Sequence, residues 1–200
     1  MAGLVSLIYD TETTGLFNFK APMGDPSQPE VLQLCAKLAQ DGKILSSVNL
    51  FVHGEKEIEE KAFETHRIDR AMTAAVGITR NEMCRVFASM AKKADVLVGH
   101  NEEFDAKMLT MSMLREGGTA EVMQKKSHFC TMKSATDICR VPQPPAEPGK
   151  RQRSGYKWPS LAEAYAILVD PRGFSNAHDA EADVDACFEV YRVLLARKAA

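Results

Sequence analysis

The sequence predicts an α/β domain built on a mixed sheet, and three observations carry that prediction. Leu4-Val5-Ser6-Leu7-Ile8 and Val96-Leu97-Val98-Gly99 are short, nearly continuous apolar runs, the pattern of strands buried on both faces. Residues 31–39 and 44–52 are β-rich runs joined by Asp41-Gly42, a hairpin signal. Helical patterns follow the strands, which places helices against a central sheet.

The elements follow in order. The first run leads into Tyr9-Asp10-Thr11-Glu12-Thr13-Thr14-Gly15-Leu16. Residues 17–29 hold Pro22, Gly24, Pro26 and Pro29 and read as a loop. With the hairpin, the first three strands form an antiparallel meander. From 58 to 90 the pattern is helical, with polar breaks near Asp69 and Gly77. Thr79 with Glu82 three residues on is a capping-box pattern. The second apolar run passes through His100-Asn101 into a helix over 102–115, closed by Gly117-Gly118. A short strand at 127–130 and a helical turn at 131–138 follow. Residues 141–157, rich in Pro, Gly and basic residues, read as a mobile loop. Pro159 marks the start of a helix through 168. The last helix covers 179–197. No internal repeat and no second domain is visible, so residues 1–200 are expected to form one domain.

Composition narrows the class. Hydrophobic content of 45% and charged content of 26% are those of an ordinary globular chain. A formal net charge of −2 argues against a protein that coats nucleic acid without a local basic patch. Cys35, Cys84, Cys130, Cys139 and Cys187 are scattered and odd in number, which reads as reduced thiols in a cytoplasmic protein. His128, Cys130 and Cys139 fit no common zinc spacing. The first apolar run is too short for a signal peptide, and no stretch approaches transmembrane length, so no membrane partner is expected.

Three stretches carry acids in informative places. Asp10 and Glu12 alternate at a strand end and so leave it on one face. Unpaired carboxylates this close repel, and a divalent cation with oxygen ligands removes the penalty. In the helix after Asn101, Phe104, Met108 and Met111 should face the core. Asp105 lies on the same broadly apolar side, where a carboxylate needs a partner or a metal. Glu102 and Glu103 read as solvated. Asn101 is either the helix N-cap or a substrate contact. In the last stretch Asp183 sits at the edge of the stripe Val184, Cys187, Phe188, Tyr191, Leu194 and Leu195. His178 must then lie on the loop before the helix if it serves the same site.

Together these stretches resemble the histidine subgroup of the DEDD exonuclease superfamily (DEDDh), which includes proofreading subunits of bacterial replicative polymerases, ribonuclease T and oligoribonuclease. The motifs are Asp10-Thr11-Glu12-Thr13-Thr14-Gly15-Leu16, Gly99-His100-Asn101 with Phe104-Asp105, and Ala177-His178-Asp179-Ala180 with Asp183. Gly77-Ile78-Thr79 and Lys157-Trp158-Pro159-Ser160-Leu161 are lesser echoes. Val76 stands where many relatives carry His, and Cys130 where Asp is common.

The resemblance implies a ribonuclease H-like fold, a five-stranded mixed sheet flanked by helices. It implies hydrolysis of the terminal phosphodiester from a free 3′ end of nucleic acid, releasing nucleoside 5′-monophosphates. Single-stranded DNA is the preferred substrate, proofreading or repair the setting, and a DNA polymerase a candidate partner. Two Mg²⁺ ions, with Mn²⁺ as substitute, would be held by Asp10, Glu12, Asp105 and Asp183. His178 would be the general base, since imidazoles titrate near neutral pH. Thr13 and Leu16 would lie near the terminal nucleotide. Phe104 would contact its base or simply pack, packing being the better reading. The rivals are an RNA-trimming exoribonuclease and a silent relative that only binds nucleic acid or a polymerase. A silent relative has no need to keep four acids and the histidine.

The loop before the helix expected at 159–168 carries Lys150, Arg151, Arg153 and Lys157, with Tyr156 and Trp158 beside them. Cations with stacking rings hold single strands, so Arg151 and Arg153 are expected on the substrate backbone. Trp158 by itself reads better as tucked into the core.

Overall fold

The computed structural model describes residues 3–146, 149, 151 and 153–199; Lys150 lies outside them. Five strands form one sheet in the order β3-β2-β1-β4-β5. They are β1 (Ser6–Thr13), β2 (Val31–Gln40), β3 (Lys43–Phe51), β4 (Val96–Gly99) and β5 (Ser127–Cys130). β1, β2 and β3 are the expected antiparallel meander, and β4 and β5 add in parallel. The sheet is therefore mixed, with helices on both faces, and the fold is ribonuclease H-like.

The helical region expected over 58–90, with breaks near Asp69 and Gly77, is three helices: α1 (Glu60–His66), α2 (Arg70–Val76) and α3 (Arg80–Lys93). The polar breaks are their caps. The Asp69 carboxylate accepts the Met72 N–H at 2.8 Å, and Thr79 and Glu82 form the anticipated capping box. α4 (Glu102–Arg115) and α6 (Thr131–Cys139) stand where the pattern put them, and α5 (Glu121–Gln124) is an unforeseen single turn. α7 (Leu161–Leu168) is capped by Ser160, one residue beyond Pro159, through a second capping box with Glu163. α8 (Ala180–Ala199) closes the domain.

Alternation along β1 divides the core. Leu7 and Tyr9 face Met83, Phe87, Met108 and Leu109 of α3 and α4. Ile8 faces Val184, Cys187 and Tyr191 of α8. Asp10 and Glu12 continue the Ile8 side. The core-facing expectation for α4 holds for Met108 and Met111, whereas Phe104 is half-buried.

One register difference positions the site. β2 accompanies β1 as far as Thr13, but β4 pairs only with Ser6, Leu7 and Ile8. Beyond Ile8, one edge of β1 is left open because the chain after β4 turns into α4. Ligand sites in open α/β sheets form at such divergences.

Candidate active site

At the open edge a side chain replaces the missing strand. The Asp105 carboxylate, on the first turn of α4, accepts the Thr11 N–H at 3.0 Å and the Thr11 hydroxyl at 2.6 Å. This seats a buried carboxylate against β1 beside Asp10 and Glu12. From the opposite side α8 brings Asp183. The turn before it carries His178, whose N–H donates to the Asp183 carboxylate at 3.2 Å. His178 is exposed and holds a left-handed backbone angle, φ 70°. Such angles are uncommon outside glycine and concentrate at functional sites.

Asp10, Glu12, Asp105, His178 and Asp183 all line one cleft of about 520 Å³. Ligand atoms of Glu12, His178 and Asp183 lie within 4.8 Å of one another. Burial, then the neighbouring Asp105, Glu12 and Asp183, push the Asp10 carboxyl well above its usual range. Burial and then Asp183 and Asp105 push Glu12 up to about 8. Burial raises Asp105 to about 7 despite its bonds from Thr11. Burial likewise raises Asp183, against the opposing pull of His178. Among the described residues, none of the four acids pairs with a lysine or arginine. Four oxygen-donor groups that repel each other and lack cations are a fitting donor set for hard divalent ions.

The remaining expected residues scatter around this centre. A neighbouring cavity of about 230 Å³ shares Thr11, Glu12, Leu16 and Phe104 with the cleft, and its far wall is α1, through Ala62, Thr65 and His66. Leu16 is 75% exposed there, and Thr13 is buried with its hydroxyl bonded to Gly15 O at 2.8 Å. Asn101 occupies the N-cap position of α4 in a left-handed conformation but makes no side-chain cap; its exposed side chain lines the cleft. Arg153 lines a third cavity, and Arg151 is exposed and lines none of the three. Trp158 is 60% exposed on the cleft rim, which corrects its expected place in the core.

Two functional-looking histidines and one acid escaped the sequence reading. Val76, which stands where many relatives carry His, is exposed at the end of α2, and His66 on α1 reaches β1. Its Nδ1 accepts the Ile68 N–H at 3.0 Å, so Nε2 carries the proton and donates to Thr13 O at 3.1 Å. His100 bridges the Thr131 hydroxyl at 2.9 Å and Pro159 O at 3.0 Å. A carbonyl can only accept, so Nε2 donates to Pro159 O, while burial lowers the pKa of the ring. Glu102, expected in solvent, is buried. It accepts the Tyr9 hydroxyl at 2.5 Å and pairs with His128, whose other nitrogen faces Met123 O at 2.8 Å. With both its nitrogens engaged, His128 has none to offer the zinc group that its spacing to Cys130 and Cys139 had already disfavoured.

The model of the exonuclease family (RNase T) matches residues 7–191. The chain belongs to the exonuclease family. This family lies within the DEDD superfamily that the motifs resemble. No curated protein sequence matches it. Among solved structures, E. coli exonuclease I in complex with a dT13 oligonucleotide is similar at 17% identity and TM-score 0.72, covering 97% of this chain and 41% of that one. Exonuclease I from Methylocaldum szegediense is similar at 21% identity and TM-score 0.72, covering 98% and 41%. The zinc-bound form of the E. coli exonuclease I complex with single-stranded DNA gives 16% and TM-score 0.73, covering 98% and 41%. This exonuclease-family chain thus spans about two fifths of the length of those chains, and the likeness is one of fold. No helix among the described residues is long and apolar enough to cross a membrane.

Proposed function

We propose that this chain is a divalent-metal-dependent 3′–5′ exonuclease, folded as one domain, that removes terminal nucleotides from single-stranded DNA. The observation that carries the reading is the convergence of Asp10, Glu12, Asp105 and Asp183 on one cleft, with no lysine or arginine paired to them among the described residues and beside an exposed His178. Exonuclease I of E. coli, whose fold this chain shares, binds single-stranded oligonucleotides, which supports the choice of substrate. The five free cysteines fit a reducing, cytoplasmic setting.

Asp10, Glu12, Asp105 and Asp183 would hold two divalent ions, Mg²⁺ or Mn²⁺. Bound there, such ions neutralise the clustered carboxylates and polarise phosphate and water oxygens. The chain's own residues do the rest. His178, at the mouth of the cleft, accepts a proton from the attacking water. The N–H bond from His178 to Asp183 ties its backbone to α8. Water adds to the terminal phosphorus, the bond to the preceding 3′ oxygen breaks, and that oxygen takes a proton from solvent. The products are a nucleoside 5′-monophosphate and a strand one nucleotide shorter. Leu16 and Phe104 offer the terminal base an apolar surface, with Thr13 behind them. Asn101 stands at the rim, and Arg151 and Arg153 meet backbone phosphates. The role that suits this chemistry is proofreading or repair beside a DNA polymerase.

The test is digestion of 5′-labelled single-stranded DNA and RNA of the same sequence, with Mg²⁺, with Mn²⁺ and with excess chelator. Stepwise shortening of DNA from the 3′ end, abolished by chelator, is expected. Undiminished cleavage in chelator overturns the metal assignment, shortening from the 5′ end overturns the polarity, and preference for RNA overturns the substrate.

A further inference from the structure

The cleft does not end at the acids. It shares Lys157 and Trp158 with the third cavity, about 290 Å³, whose other walls are Gln143, Arg153 and Tyr156, and the first cavity, which holds Leu16, has no lining residue in common with the third. Three cavities thus adjoin in sequence. The first is apolar, the second acidic, and the third basic and aromatic. On the exonuclease reading, the terminal nucleoside and the scissile phosphate occupy the first two. That leaves the third for whatever lies beyond the bond to be cut.

The third cavity has a chemistry of its own. Trp158 is 60% exposed and Tyr156 42% exposed, although large aromatic side chains gain free energy by burial. Both rings sit in a segment fastened at several points. The Lys157 N–H donates to Val141 O at 2.9 Å and closes the base of the loop. The Lys157 ammonium pairs with Glu163 at 2.7 Å. On the other side of Trp158, Pro159 O accepts from His100 at 3.0 Å, and Ser160 caps α7. The indole is therefore exposed on a backbone held from both sides, an arrangement that lowers the ordering cost of binding. The Arg140 guanidinium lies 6.0 Å from the Tyr156 ring centroid, so positive charge backs the aromatic surface.

We propose that Trp158, with Tyr156 and Arg153, forms a subsite for the nucleotide on the 5′ side of the scissile bond, its base stacked on the indole and its phosphate facing Arg153. Base stacking on aromatic rings is tolerant of sequence, and a neighbouring arginine supplies the backbone charge. Such a subsite grips the strand through the part that stays bound after cleavage.

Two substrates separate this proposal from the exonuclease reading on which it rests. (dT)4 fills the subsite; the methyl ester of thymidine 5′-monophosphate has the same scissile linkage and no upstream nucleotide. Trp158→Ala should raise KM for (dT)4 about tenfold and leave kcat/KM for the methyl ester unchanged. Trp158→Phe should restore most of the loss, and Tyr156→Ala should show a smaller loss with the same selectivity. Trp158 is the only tryptophan in the chain, so its emission reports the site directly. In the Asp10→Asn protein, (dT)4 should quench that emission and the methyl ester should not. Equal losses on both substrates, or no loss on (dT)4 and no quenching, overturn the subsite. Failure of the unmodified protein to cleave either substrate overturns the exonuclease reading instead, while quenching by (dT)4 would still locate the strand at Trp158.

Discussion

Glu102 and Asp105 sit one turn apart on α4, and both are almost completely buried, at 5% and 3% exposure. Their surroundings differ in one respect. Glu102 has a hydroxyl from β1 and an imidazole from β5 for itself. Burial alone would lower the His128 pKa, but the bonds to Met123 O and the Glu102 carboxylate outweigh it and raise the pKa, so the fold gives Glu102 a basic partner of its own. Asp105 has two good hydrogen bonds from Thr11, yet it shares its cleft with three more carboxylates and, among the described residues, pairs with no lysine or arginine. A buried carboxylate is therefore not in itself a sign of chemistry. The sign is an excess of negative charge that the fold leaves unmatched, and here the two cases lie three residues apart.

Removing members of the unmatched group should have the largest effect. Asp10→Ala or Asp183→Ala should lower turnover by orders of magnitude, His178→Ala should lose most of it, and none of the three should lower Tm appreciably. Near-normal turnover of either aspartate variant at saturating Mg²⁺ would remove that residue from the site. The matched acid should respond the other way. Glu102→Ala strands the Tyr9 hydroxyl and the His128 ring, at a cost of about 1–3 kcal/mol. The expected reading is a fall of several degrees in Tm with a far smaller loss of turnover. If Asp10→Ala and Glu102→Ala gave the same pattern, the contrast between the two carboxylates would be false.

The pH dependence of stability sharpens the same contrast. Glu12 and Asp105, with pKa values raised to about 8 and about 7, hold protons in the metal-free fold that an unfolded chain releases near pH 4. Their contribution is fully present below about pH 4 and is lost as pH rises through 7 and 8. The Tm of chelated protein should fall across that interval, and Mg²⁺ should flatten the decline. A chelated protein that gained stability from pH 5 to pH 8 would contradict this. The smallest effect belongs to the cations, which lie on the loop instead of beside the acids. Arg151→Gln with Arg153→Gln should raise KM with little change in kcat. It should also flatten the salt dependence by up to about 0.7 log units per log unit of salt for each phosphate left without its arginine. An unaltered slope would leave these arginines as surface charges.

Asp10, Glu12 and Asp105 stood out locally: the first two alternate on a strand, and Asp105 falls on an apolar helix side. Asp183 and His178 did not, since a histidine before a helix is more often structural or exposed, and they entered the candidate site only through the three motifs taken together. Glu102 was not legible. A Glu-Glu pair in the first turn of a helix is ordinary solvated charge, and no period links position 102 to Tyr9 or His128. His66 was missed for the same reason: its partner Thr13 lies 53 residues away in the chain. Trp158 misled because an apolar ring beside a helix start usually packs, and only the neighbouring cavity explains its exposure. The antiparallel meander and the mixed character of the sheet were legible, whereas the strand order and the parallel pairing of β4 and β5 were not read from the residues. Nor was the extension of β1 to Thr13, because its last pairs depend on the length of β2 rather than on residues 9–13.

The spread of the site along the chain has a consequence for biosynthesis. Asp10 and Glu12 leave the ribosome first, Asp105 follows near the middle, and His178 and Asp183 come last, around the first turn of α8. A chain synthesised as far as Asp170 already contains all five strands and α4, yet lacks His178 and Asp183 of the candidate site. Contacts between such distant segments are also the slowest to form. On the proposed mechanism, a chain that stops short of His178 does not hydrolyse nucleic acid, and hydrolytic capacity arrives only when α8 docks. A potentially destructive activity is thereby withheld until synthesis of the catalytic domain is essentially complete.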